Sequence, residues 1–136
     1  MRKQIVIVAT LCLVIGMAAG SAHSQVIQAK VPFNFIVSGK TLAAGEYTMI
    51  THAHQLKIED AGGRVVAMVL VSDSGRSHQG KGEIIFHCYQ ERCFLAEVWP
   101  TTYGNGHELF TSRIELEAAL EQPGKLFAVL GTEPRK

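Results

Sequence analysis

The chain has 136 residues, with 13 Lys and Arg against 12 Asp and Glu, a formal net charge of +1. That length fits one domain. No basic stripe or charge run is present, which argues against nucleic acid and against electrostatic membrane binding, since phosphate neutralisation needs clustered cations.

Arg2 and Lys3 precede an apolar run from Ile5 to Ala19, interrupted only by Thr10 and Gly16, and then "GSAHSQ". This is the layout of a secretory signal peptide. Cleavage is expected after Ser24, with a cut after Ala22 as the second choice. The run is short for the roughly 20 residues that span a bilayer. Cys12 lies inside it with Leu11 before it, which does not suit a lipoprotein. The expected organisation is a signal peptide, 1–24, and one β-rich domain, 25–136. The mature chain keeps 11 basic and 12 acidic residues and has no second apolar stretch able to span a membrane.

In "VPFNFIVSGKTLAAGEYTMI" (31–50), Ala29, Val31, Phe33, Phe35 and Val37 share one parity, and Gln28, Lys30, Pro32 and Asn34 share the other. Alternation at period two marks a half-buried strand. Pro32 cannot donate to a ladder, which predicts an edge strand or a bulge there. "SGK" and "AAGEY" read as turns, with Gly45 free to take a positive φ. Phe33, Phe35 and Tyr47 are expected in the core, with Tyr47 bracing a corner through a backbone hydrogen bond.

"THAHQ" reads as a polar hairpin turn. Its rival is a metal-binding strand carrying His52 and His54, which lacks the third ligand a site normally needs. "QLKIED" alternates Leu56 and Ile58 against Lys57 and Glu59, and "AGG" turns the chain. "RVVAMVLV" (64–71) is apolar on both parities, which predicts a strand covered on both faces. "SDSGRSHQGKG" (72–82) reads as a polar mobile loop.

"EIIFHCY" and "RCFLAEVW" are expected to pair as a hairpin around Gln90-Glu91. That register sets Tyr89 against Arg92, Cys88 against Cys93, His87 against Phe94 and Glu97 against Ile84. Opposed Cα atoms lie within disulfide range, and an exported chain meets an oxidising compartment, so a Cys88–Cys93 disulfide is expected. Two-residue and four-residue loops both preserve the cysteine pairing. "GNGH" (104–107) reads as a turn and "LFAVL" (126–130) as a last strand. Ser112 followed by Glu115 forms a capping-box pattern ahead of "RIELEAALEQ", which predicts a helix from Arg113 to Gln122. The fold class is therefore mainly β, an antiparallel sandwich or barrel-like single domain with one short helix near the C-terminus.

"VPFNFIVSGKTLAAGEY" together with "FHCYQERCFLAEVW" resembles a group of uncharacterised small secreted bacterial proteins. Their pattern runs VPF-x-F-x-V and then K-x-L-P-A-G-x-Y. Here Ala43 stands where that pattern carries Pro, which loosens the turn. The resemblance implies export and topology, and brings no activity with it.

The residues carry no Gly-x-Ser-x-Gly elbow and no phosphate-cradling loop. No cofactor is implied. The function expected is a non-enzymatic exported domain that acts by binding or as structure in the envelope or outside the cell. The alternative is a small-ligand-binding or hydrolytic protein using a face near Trp99, Tyr103 and Glu97. A protein partner added through the edge strand near Pro32 is a further expectation.

Overall fold

The computed structural model describes residues 24–78, 82–99 and 104–132. Residues 1–23 of the expected signal peptide, and Tyr103, lie outside the described residues. Ten strands and one helix follow in the order β1 (Gln25–Val31), β2 (Phe35–Val37), β3 (Lys40–Leu42), β4 (Gly45–His52), β5 (Gln55–Glu59), β6 (Val65–His78), β7 (Glu83–Tyr89), β8 (Arg92–Trp99), β9 (Gly104–Leu109), α1 (Arg113–Glu121) and β10 (Lys125–Thr132).

Eight of the strands close a barrel. Around the ring the order is β8-β7-β10-β1-β4-β5-β6-β9, and β9 returns to β8. Every neighbour in this ring is antiparallel. The short β2–β3 hairpin hangs outside the ring, with β2 meeting β8 in parallel through Ile36 and Phe94. One edge of β8 is thus shared between β2 and β9. The fold is a closed eight-stranded antiparallel barrel with one short helix, the barrel member of the expected pair.

Strand pleating sends alternate side chains inward. Ile27, Ala29 and Val31 from β1, Tyr47 and Met49 from β4, Leu56 and Ile58 from β5, and Ile84 and Phe86 from β7 are all buried. Phe35 sits at the centre of an aromatic cluster, edge-on to Tyr47 at 5.2 Å and to Phe86 at 5.3 Å. Phe33 is only partly buried and packs edge-on against Phe86 at 4.9 Å. An eight-stranded barrel is just wide enough for side chains to fill its interior, and here apolar side chains fill it.

The expected parity in the first strand holds, but its edge position does not. β1 lies between β4 and β10. Pro32 falls in the connection to β2, because a residue without an N–H ends the ladder instead of lining an edge. Gly45 opens β4 without a positive φ, which falls instead on Ser38 and Gly39 in the turn between β2 and β3. Tyr47 braces this corner as expected, its hydroxyl donating to Ala43 O at 2.5 Å.

Three further expectations are corrected. The stretch read as a loop, residues 72–82, continues β6 as far as His78, where it pairs with β9. "GNGH" is the start of β9 and not a turn, because its glycines lie against Trp99 and the β6 ladder. "RVVAMVLV" is not covered on both faces: Val65, Met68 and Leu70 are exposed.

The β7–β8 hairpin keeps the expected register from Tyr89↔Arg92 to Phe86↔Leu95. Its turn has two residues, with Gln90 at a φ of 57°. A bulge then intervenes and sets Glu97 against Ile85 and not Ile84. Cys88 and Cys93 are directly opposite and joined by a disulfide, with Cα atoms 4.0 Å apart.

Candidate functional site

Trp99 and Glu97, two of the residues singled out as a ligand face, lie on β8 and are buried. The Trp99 ring lies flat against Gly106, where an added Cβ would stand 2.6 Å from the ring. Glu97 faces Glu108 across the β8–β9 ladder. Among the described residues this corner offers packed side chains and no exposed aromatic face. His52 and His54 also separate: His52 ends β4, and Ala53, at a φ of 55°, turns the chain. Among the described residues no group of three or more His, Cys, Asp or Glu side chains is placed to hold a metal ion. No described helix is long and apolar enough to cross a membrane.

The structure gathers a different set of residues. The outward face of the β7–β8 hairpin carries His87, Tyr89 and Phe94. Helix α1 lies over it, and Glu115 in its first turn is the contact. The Glu115 carboxylate is buried, accepts from the Tyr89 hydroxyl at 3.0 Å, and lies 3.2 Å from His87 Nδ1. Ser112 caps the helix, accepting from the Glu115 N–H at 3.2 Å. Burial, the bond to Glu115 and the charge of that carboxylate raise the Tyr89 hydroxyl above its usual pKa. At the turn end of the hairpin, opposite Tyr89, the Arg92 guanidinium approaches Glu121 at 3.7 Å.

Beside this contact the barrel wall is interrupted. β9 pairs with β6 only as far back as Val71↔Leu109. Upstream of Val71, β6 has β5 on one side, and no described strand pairs with its other side. A groove of about 440 Å³ follows this gap. Met68 and Leu70 form one wall, Ile36 and Phe94 the other, and Phe110 and Glu115 close the end toward the helix. Met68, Leu70 and Phe110 are 54%, 66% and 69% exposed. At the opposite end Lys40 Nζ donates to Val66 O at 2.8 Å.

A separate polar cluster closes one mouth of the barrel. His107 Nε2 lies 3.1 Å from Gln25 Oε1, and its Nδ1 lies 3.7 Å from Asp73. Burial lowers the His107 pKa below its usual value; Asp73 opposes that shift and His54 adds to it. The space beside it is only about 10 Å³, the scale of a single water.

Sequence reasoning missed the groove. Its signal was "RVVAMVLV", whose two apolar parities fit an exposed apolar face as well as a doubly covered strand. His87 and Glu115 are 28 residues apart and carry no local signal.

The fold and groove define a class: a small antiparallel barrel with an apolar core and an apolar external groove. Comparison with protein-family models, curated proteins and solved structures finds no match to this chain.

Proposed function

We propose that this protein is an exported β-barrel domain that acts by binding a protein partner in the external groove, without catalysis. The observation that carries this reading is the exposed apolar groove of Met68, Leu70 and Phe110 on the outside of a barrel with its own buried apolar core. A contiguous apolar surface of this kind on a small domain marks an interaction site. The positive n-region, apolar run and small-residue end of residues 1–24 support export, as does the disulfide, which persists in oxidising compartments. The resemblance to small secreted bacterial proteins points the same way.

Placing a photoreactive benzophenone amino acid at position 110, and separately at position 57 on the outer face of β5, tests the groove in the native secreting cells. Crosslinked adducts are expected from position 110 and not from position 57. No adduct at position 110, or the same adducts from both positions, would reject the groove as the binding site. Intact mass of the exported chain should correspond to a start at Gln25; retention of Met1 would reject cleavage.

A further inference from the structure

Resting on that reading, we infer that the groove accepts an extended peptide segment of the partner, added as a strand to the open edge of β6. The backbone specifies this occupant. The Val71 N–H donates to His54 O, on the β5 side of β6, at 2.8 Å. Peptide groups alternate sides along a strand, so the N–H and C=O of Met68 point away from β5 and into the groove. Those of Leu70 point the same way, and in the Val71↔Leu109 pairing the Phe110 N–H donates to the Leu70 carbonyl. Val66 O also points there, since Lys40 reaches it. Among the described strands none pairs with the Met68 N–H and C=O or the Leu70 N–H, and strand donors and acceptors of this kind are what strand addition uses.

The shape narrows the choice further. The groove is walled on both sides, by β6 and by Ile36 with Phe94, and it ends at Phe110. A second copy would have to bring a β6 edge that is itself recessed in a barrel wall, so two such edges cannot meet. A single extended segment fits. From the Lys40 contact at Val66 to the ladder at Val71 the open stretch covers about five residues, roughly 17 Å of strand.

Charge fixes the sequence type. Met68, Leu70, Ile36, Phe94 and Phe110 carry none, and the Glu115 carboxylate at the Phe110 end is already engaged by Tyr89 and His87, so a charged side chain in mid-segment would be desolvated without a partner. Lys40 is exposed at the Val66 end, where an acidic residue pairs with it. In the antiparallel sense, which is the commoner one, that residue lies at the C-terminal end of the segment. The ligand class is therefore an uncharged, alternating β-forming segment ending in Asp or Glu.

The probe is N-acetyl-Val-Thr-Val-Thr-Val-Asp, fluorescently labelled, with a control peptide N-methylated at alternate residues. Amide hydrogen exchange of the mature protein is read alongside anisotropy. In the free protein the Met68 amide is expected to exchange much faster than that of its neighbour Val69, which faces β5. The peptide should bind saturably and slow the Met68 amide, and N-methylation should weaken binding by about tenfold or more, the scale of a lost strand hydrogen bond. Met68→Lys should weaken binding while the circular dichroism spectrum stays native.

Protection of Met68 in the free protein, equal binding of both peptides, or displacement by a fatty acid without protection of Met68 would each overturn strand addition. So would sedimentation as a dimer that is lost in Met68→Lys. Adducts at position 110 alongside failure of the peptide would keep the groove as a binding site and discard only the strand; absence of both would discard the groove as well.

Discussion

Glu115 and Tyr89 share one hydrogen bond, phenol to carboxylate at 3.0 Å, and through it the only described helix is held to the barrel by its polar side. Within α1, Glu115 and Ala118 are buried while Leu116 and Leu120 are exposed. Replacing Glu115 by Ala leaves a half-buried phenol and imidazole without their acceptor. The expected loss is about 1–3 kcal/mol, measured by urea unfolding, with Tyr89→Phe costing less because Glu115 keeps His87. The raised Tyr89 pKa sets a sign as well. The stabilisation it reports is complete below the ordinary tyrosine value of 10.0 and is lost as pH rises through the higher folded value. Unfolding midpoints above pH 10 should therefore fall more steeply in the wild-type chain than in Tyr89→Phe.

His107 gives the opposite dependence. Its folded pKa lies below the ordinary 6.5, with burial as the main cause. The neutral ring is favoured in the fold, so its contribution is present above pH 6.5 and is lost as pH falls through the folded value. Thermal midpoints of the wild-type protein should drop across that acid range, and those of His107→Gln should drop less. Parallel profiles would rule out His107 as the group responsible.

Phe35 and Phe33 separate two grades of burial within one sequence motif. Phe35 has no exposed surface, so Phe35→Ala should cost about 3–5 kcal/mol by opening a cavity against Tyr47 and Phe86. Phe33→Ala should cost less, since Phe33 is only partly buried against Phe86 and Phe127. Denaturant titration of the two variants gives the order directly.

The Cys88–Cys93 ring is small, and loop-closure entropy assigns it about 2 kcal/mol at most. Non-reduced peptide mapping should recover the two cysteines as one linked species. Reduction should lower the unfolding midpoint modestly and leave the barrel folded, because the β7–β8 ladder that holds the two residues is independent of the bond.

Gly106→Ala tests the placement of Trp99. An added Cβ would lie 2.6 Å from the indole ring, so the ring must move. The expected result is destabilisation of about 1–3 kcal/mol and a red-shifted tryptophan emission. Unchanged emission and stability would mean that Trp99 does not rest on Gly106.

What the sequence determined by itself was local. Period-two alternation placed the buried faces of β1, β4 and β5, because pleating ties parity to side. The symmetry of "EIIFHCYQERCFL" placed Cys88 opposite Cys93, because the two runs meet at one short turn. The Ser112–Glu115 spacing located the helix, because capping is a contact three residues long. Tertiary structure decided the rest. Whether "SDSGRSH" and "GNGH" become loops or strands depends on their finding each other across the barrel, which neither segment encodes alone. Which face of "RVVAMVLV" is covered depends on where β9 stops. Glu115 turns inward because His87 and Tyr89 wait on a hairpin 26 to 28 residues away. Closure of the barrel is likewise a long-range event, since it needs β8 and β6 to share β9 as a neighbour, and no period in the chain specifies that meeting.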